Sequence, residues 1–369
     1  MKRIIPIMLV VVLIAGVLSA CGGTPLSQLF TSDRNVSSNT YDYLSCSGYM
    51  DGEALIMTAG DSPVYWNEYY YWMTVAVDNI AGEDGTVQNW SDTYAESYDM
   101  YGHELSYEEF VRYYAYDAVL MFRTIEQRFD KEGLSIEEGD IYTVQNFMED
   151  NGLKSEEELD EQLAGLNMTR ELFEYIETVS AKYYALLESV YGIQGANCPE
   201  EEVLAYADSA GYRQIKQILI SPGGEGGTER DMARGEAEEI LAQLQNLNGD
   251  ELETAFDELV AEKSDDEELE KYKDGYLFRQ GDLAEEIQSA VQQLEEYKLS
   301  GIIETERGFH IVLNLPINSD TVPYGGTDSM RYLTAYDRFD SIVSDWQAEV
   351  KVKYEDTFDK IAASKIFIA

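Results

Sequence analysis

The order of apolar and polar positions divides the chain into stretches of different texture. Little pattern precedes Ala54-Leu55-Ile56-Met57-Thr58, a short apolar run that predicts a strand. From Asn67 the spacing is helical: Trp66, Tyr69, Tyr70 and Met73 recur at i, i+3, i+4 and i+7 and fall on one helix face. Caps announce the later helices. Ser106 with Glu109, Ser135 with Glu138 and Ser155 with Glu158 each fit the capping box, in which two side chains satisfy one another's free backbone N–H groups. Behind Ser106, the series Phe110, Tyr114, Met121, Ile125 and Phe129 makes an apolar stripe, and Phe147, Leu159, Leu163, Leu172, Ile176 and Val179 continue the same logic. Gly133, Gly152 and Gly165 stand where helices should stop. Residues 61–207 therefore read as a mostly helical lobe.

Near Cys198 the texture changes. Pro199 followed by Glu200, Glu201 and Glu202 predicts a helix with proline at its first position and acids in its first turn. Residues 214–220 alternate polar and apolar, as a strand does. A glycine-rich loop at 222–227 precedes an amphipathic helix over 230–245, a shorter helix covers 251–261, and 308–315 is a closing strand. Together 211–316 predict an α+β unit with a small antiparallel sheet. In the remaining 317–369, residues 329–361 read as helical again, with Leu333, Tyr336, Phe339, Ile342, Val343 and Trp346 on one face. A stripe that size needs a partner, and the first helical lobe is the nearest, so the α+β unit reads as an insertion into it.

The first residues bear on compartment. Lys2 and Arg3 precede an apolar run over 4–18, broken only by Pro6 and Gly16. The run is shorter than the ~20 residues a spanning helix needs. Leu18-Ser19-Ala20-Cys21 follows and resembles the lipobox of bacterial lipoproteins, whose cysteine receives a diacylglyceryl group. That resemblance makes 1–20 a signal peptide and Cys21 the lipidated residue. It makes 21–60 a flexible tether ending in the short strand, and it places the protein on the outer face of the cytoplasmic membrane. Two acyl chains suffice for stable anchoring.

Charge then narrows the partners. The chain has 26 Lys and Arg against 71 Asp and Glu, a formal net charge of −45. Such a field repels nucleic acid and anionic lipid and favours basic or unfolded polypeptides. Beyond Cys21 only Cys46 and Cys198 remain, and the sequence leaves open whether they form a disulfide or stay thiols. With only His103 and His310, no His/Cys zinc set can be assembled. The stretch Asp130-Lys131-Glu132-Gly133 lacks the glycine position and closing Glu of a calcium loop. His103 reads as a loop residue before the Ser106 cap. No cofactor is implied.

Across 212–315 an ordered set of motifs resembles the parvulin-type peptidyl-prolyl isomerase domain, and the whole chain is similar to the PrsA/SurA-type foldases. Lys216-Gln217-Ile218-Leu219-Ile220 stands where that family has its first strand, with His-Ile-Leu-Ile. Lys263-Ser264-Asp265-Asp266 stands at its Tyr-Ser-Asp turn, and Gly275-Tyr276-Leu277-Phe278 is a thinned version of its Gly-Gly-Asp-Leu-Gly-x-Phe. The stretch from Gln280 to Ile287 matches the helix written Gly-x-Met-x-x-x-Phe. Residues 299–305 and Gly308-Phe309-His310-Ile311-Val312 match the closing strands. The resemblance implies catalysis of X–Pro isomerisation without a cofactor. It assigns an apolar socket to Leu283, Ile287 and Phe278, with Leu283 and Ile287 four apart on one helix face. It assigns a polar floor to Asp266, Thr305 and His310, with Gln217 at the position of the family's first-strand histidine.

Each of these residues also has a plain structural reading. His310 on a buried strand can be a hydrogen-bonded core histidine, Leu283 and Ile287 can be core packing, and Asp265 and Asp266 can cap the turn after Ser264. Three functions follow. The first is a membrane-anchored foldase that isomerises X–Pro bonds and holds unfolded secreted polypeptides. The second is a parvulin-like holding chaperone with weak or no catalysis, suggested by Gln217 and the thinned glycine motif. The third is a surface lipoprotein binding solute or wall polymer. Whether two copies pair as a homodimer stays open.

Overall fold

The computed structural model describes residues 41–367 apart from 82–86, 88, 99–102 and 225. The expected signal peptide at 1–20, Cys21 and residues 22–40 of the expected tether lie outside the described residues. Two compact units are present: the described residues up to Val190 together with those from Tyr336 onward, and Tyr191–Ala335. No helix among the described residues is long and apolar enough to cross a membrane. Cys46 and Cys198 are both buried thiols.

The first unit opens with strands β1 (Leu55–Ala59) and β2 (Ser62–Tyr65), which pair antiparallel, and helix α1 (Trp66–Ile80). Helices α2 (Tyr107–Glu132) and α3 (Arg170–Tyr191) follow. The four-residue stripe expected on α1 is too narrow. Tyr71, Trp72, Thr74 and Val75 are buried as well, so the helix is enclosed on nearly every side. That enclosure takes Glu68 inside, where Arg123 of α2 answers it with Nη2 2.5 Å from Oε2 and Nη1 3.2 Å from Oε1. Burial pushes the Glu68 carboxyl above its ordinary range, and the guanidinium opposes that shift.

The caps divide. Ser106 and Glu109 form the reciprocal box, with bonds of 3.3 and 2.9 Å. Ser155 accepts the Glu158 N–H at 3.2 Å, but the Glu158 carboxylate turns to the N–H of Lys154 instead. Ser135 caps nothing. Glu137 and Asp140 close a three-residue 3-10 turn there, too short for a helix to grow from. Near the C-terminus the helix Met330–Glu349 stops well before 361. Val350-Lys351-Val352-Lys353-Tyr354 has the two-residue alternation of a strand, and Val352–Tyr354 adds an edge to β1 with Met57 opposite Tyr354.

Within this unit, Tyr183 of α3 meets Tyr336 and Phe339 with ring centroids 5.7 and 5.0 Å apart, and donates 2.6 Å to Asp340 Oδ1. Asp340 Oδ2 is buried with no hydrogen-bond partner among the described residues. Burial raises the Asp340 pKa from 3.8 to about 7. A raised folded-state pKa means that stability is greatest in acid and is lost as pH rises through about 7. Asp340→Asn keeps the acceptor for Tyr183 and cannot ionise. In thermal melts it is expected to stabilise the unit by about 1–3 kcal/mol at pH 8, by less at pH 5, and hardly at all below the unfolded pKa of 3.8.

The second unit contains α4 (Glu200–Ser209), β3 (Arg213–Ile220), α5 (Gly227–Leu244), α6 (Gly249–Lys263), β4 (Tyr276–Phe278), α7 (Glu285–Val291), β5 (Ile303–Glu304) and β6 (Phe309–Leu315). Pro199 sits just outside α4, as its cap residue. The sheet is antiparallel in the order β4-β3-β6-β5, and β3 pairs with β6 along its whole length, from Gln214 opposite Leu315 to Ile220 opposite Phe309. One face carries Ile218, Ile220, Ile311 and Leu313 into a core with α5 and α6. The other carries Ile215 and Val312 against Tyr276, Phe278, Ile287 and Val291. Gln217 and His310 share this second face by the period-two rule, diagonal to one another across the ladder. It is the face on which the site is built.

Candidate functional site

Asp266 reaches the site from the turn after α6, which is fastened to the end of β3. The Ser264 hydroxyl accepts the Leu219 N–H at 3.1 Å, Asp265 Oδ2 accepts the Ser221 N–H at 2.8 Å, and the Asp265 N–H donates to the Leu219 carbonyl at 2.8 Å. Asp265 thus does the capping, while the Asp266 carboxylate is released inward. Two glycines permit the close packing around it. A Cβ at Gly275 would lie 2.4 Å from the Ile215 carbonyl, and one at Gly308 would lie 2.3 Å from the Ile220 carbonyl.

The buried carboxylate starts a continuous hydrogen-bonded chain. Asp266 Oδ2 accepts from Gln217 Nε2 at 2.6 Å and from the Tyr276 hydroxyl at 2.6 Å. Gln217 therefore presents Oε1 to His310 Nδ1, 3.0 Å away. An amide oxygen only accepts, so His310 carries its proton on Nδ1 and leaves Nε2 as an acceptor. The Thr305 hydroxyl, 2.8 Å away, donates to it and in turn accepts the Arg307 N–H at 3.1 Å. Arg307 also swings its half-exposed guanidinium to 3.4 Å from Asp266 Oδ1. Asp266, Gln217, Thr305 and His310 are all buried.

Charge on His310 is disfavoured first by burial and then by Arg307, which together lower its pKa from 6.5 to about 4. The imidazole is neutral at pH 7. A depressed folded-state pKa contributes stability above about 6.5, and that contribution is lost as pH falls through about 4. Hydrogen exchange of the β6 amides is expected to accelerate between those values. His310→Gln should flatten the dependence.

The three apolar residues assigned to the socket lie in one cluster beside this chain. Phe278 and Ile287 are buried, and Leu283 packs on them half-buried. One expectation needs correction. Leu283 is not on the helix with Ile287, because α7 begins only at Glu285 with Ala284 as its cap. Leu283 sits in the preceding turn, held by the Gln288 side chain, which takes the Gly281 N–H at 2.9 Å and donates to the Leu283 carbonyl. The two residues meet through that turn and not through helical spacing.

Residues 218–314 match the family model of the PPIC-type PPIase domain, also called Rotamase. This segment is a parvulin-type peptidyl-prolyl cis–trans isomerase domain. The matched residues contain every assigned site residue except Gln217, which stands one position before the match. Among solved structures, the chain is similar to the foldase protein PrsA from Streptococcus pneumoniae str. Canada MDR_19A at 16% identity, covering 73% of this chain and 98% of that one, with a TM-score of 0.29. It is similar to PrsA from Bacillus subtilis at 15% identity, covering 74% and 98%, with a TM-score of 0.26. A structure from Campylobacter jejuni, whose title describes PEB4 and Cj1289 as SurA-like chaperones, matches at 20% identity over 66% and 86%, with a TM-score of 0.24. At such scores these likenesses carry nothing further, and the assignment rests on the domain. No curated protein matches the chain.

Two members of the site were missed by reading the sequence. Tyr276 takes one of the two short bonds to Asp266, and Arg307 supplies both the N–H for Thr305 and a cation near the carboxylate. Tyr276 lies in the thinned glycine motif, so the departure from the family pattern was itself the signal. Arg307 lay between Thr305 and His310 and carried no pattern of its own.

Proposed function

We propose that the chain is an extracytoplasmic foldase whose isomerase domain accelerates cis–trans exchange of X–Pro bonds in secreted polypeptides. The observation that carries this is the unbroken polar chain from Thr305 through His310 and Gln217 to Asp266, lying beside Leu283, Ile287 and Phe278, all but Gln217 within the matched residues. An X–Pro bond faces a barrier of about 18–20 kcal/mol because the planar amide is held by resonance. Taking the prolyl ring out of water against the apolar residues weakens that resonance. Dipoles already fixed by the network then stabilise the twisted amide without reorganising. No covalent bond to substrate forms. NMR exchange on a prolyl tetrapeptide tests the reading: wild type should accelerate exchange, and equal rates for wild type and the Asp266→Ala, His310→Ala double variant remove catalysis.

A second reading, holding without catalysis, is favoured by the deep burial of Phe278 and Ile287 against Tyr276 and by Gln217, which cannot titrate. It requires that suppression of client aggregation survive the double substitution while wild type leaves prolyl exchange unchanged. The lipobox motif supports a diacylglyceryl anchor at Cys21, with the Gly-, Ser- and Thr-rich residues 22–40 as tether. The sequence pattern supports boundaries of 61–207 for the helical lobe, 211–316 for the isomerase domain and 317–369 for the closing segment. Mass spectrometry of the N-terminal peptide from a membrane fraction reads the anchor directly.

A further inference from the structure

The first unit contains a cleft of about 430 Å³ whose lining includes Tyr41, Tyr43, Tyr70, Glu53, Asn67 and Leu172. That size falls within the ~300–1,000 Å³ typical of ligand pockets. Tyr70 is only 5% exposed, yet its hydroxyl has no hydrogen-bond partner among the described residues. The ring is packed away while the hydroxyl, on the cleft lining and not among the buried unsatisfied oxygens, stays open to take up a polar group there. The walls are held ready. The Tyr43 and Tyr70 rings meet edge-on with centroids 4.7 Å apart, and both pack on the buried Trp66 at 5.7 and 5.5 Å. Gly52 is required beside them, since a Cβ there would stand 2.7 Å from the Tyr43 hydroxyl.

The surroundings are anionic. Glu53 is exposed on the lining, the Tyr41 hydroxyl donates to Asp78, and among the described residues no lysine or arginine lines the cleft. Beyond the effect of burial, Asp51 pushes the Tyr43 phenol up, and Asp42 and Asp78 push up Tyr70. Aromatic rings with one exposed carboxylate, Glu53, on the same lining attract a cation, and withdrawal from water strengthens that attraction. Asn67 uses Oδ1 on the Glu68 N–H at 2.8 Å, which leaves its amide N–H groups for a carbonyl of an extended backbone.

We propose that this cleft binds a lysine or arginine side chain of an extended polypeptide. The site lies in the first unit and stands whether or not the isomerase domain turns over, so it adds a holding function with a stated preference for basic segments. The test is fluorescence anisotropy of the full chain with a labelled, proline-free Gly-Ser peptide carrying two arginines, beside its glutamate counterpart. The arginine peptide is expected to bind saturably and the glutamate peptide not at all. Tyr70→Phe keeps the ring and should weaken binding about five-fold, the worth of one hydrogen bond. Glu53→Gln, at an exposed position, should weaken it roughly three-fold, as loss of an exposed ion pair does. Glu258→Gln with Glu262→Gln, acids on α6 of the second unit, and Asp266→Ala should leave it unchanged. The proposal falls if Tyr70→Phe and Glu53→Gln both bind as wild type. It falls equally if the α6 pair loses as much, which is the signature of nonspecific acidity, or if free arginine amide binds as tightly as the peptide.

Discussion

Asp266→Ala is expected to lower kcat/KM for prolyl isomerisation by ten- to a hundred-fold, roughly 1.4–2.7 kcal/mol of transition-state stabilisation. The carboxylate is the terminus on which the polar chain is oriented. Without it Gln217 loses the bond that fixes which end of its amide faces His310, and the imidazole loses its reason to keep the proton on Nδ1. The Tyr276 hydroxyl is stranded at the same time. Each buried donor left unmade costs about 1–3 kcal/mol, so part of the loss is structural. Asp266→Asn separates the two contributions. It restores an acceptor for Tyr276 but not the charge, so recovered folding with a still-depressed kcat assigns the carboxylate to catalysis. Full recovery of rate would make it a positioning group alone. Tyr276→Phe removes one donor and leaves the charge, and its effect should be the smallest of the series.

The second large effect lies in the other unit. Glu68→Ala leaves the buried Arg123 guanidinium only the more exposed Glu126, 3.8 Å away, as counter-charge and should destabilise the first unit by up to about 3–5 kcal/mol. Arg123 retains the Pro63 carbonyl at 3.0 Å and the ring of Tyr175 at 5.0 Å, which limits the loss. Urea unfolding followed by tryptophan fluorescence reads this cleanly, because Trp66, Trp72, Trp90 and Trp346 all belong to the first unit. The double variant Glu68→Met, Arg123→Met should regain most of the stability, since well-packed apolar side chains replace a buried ion pair at little cost. If the single variant unfolds at the wild-type urea concentration, the pair is screened by water and contributes nothing.

Much of the isomerase domain was legible along the chain. The strand over 214–220, the helices after it, the closing strand and the turn at Ser264-Asp265-Asp266 were all readable from local spacing. The errors have a common cause. Alternation along β3 suggests one solvated face, yet Gln214 and Gln217 are both buried because β3 is a central strand covered on both sides. Four-residue spacing suggested a helix through Leu283, where a side chain from Gln288 holds a turn instead. At the C-terminus a helical stripe ran on in the reading past the point where a period-two pattern had already replaced it.

Residue order settled what depends on neighbours a few positions away: caps, periodicity, glycine placement and the ordered motifs that mark a parvulin-type domain. The meeting of Asp266, Gln217, His310, Thr305 and Tyr276 depends on strand register and on a turn fastened across the sheet, between residues up to 93 positions apart. The tyrosine-lined cleft likewise draws on segments from Tyr41 to Leu172. Long-range pairing decides which polar groups share a buried space, and a hydrogen bond across that space leaves no period in the chain.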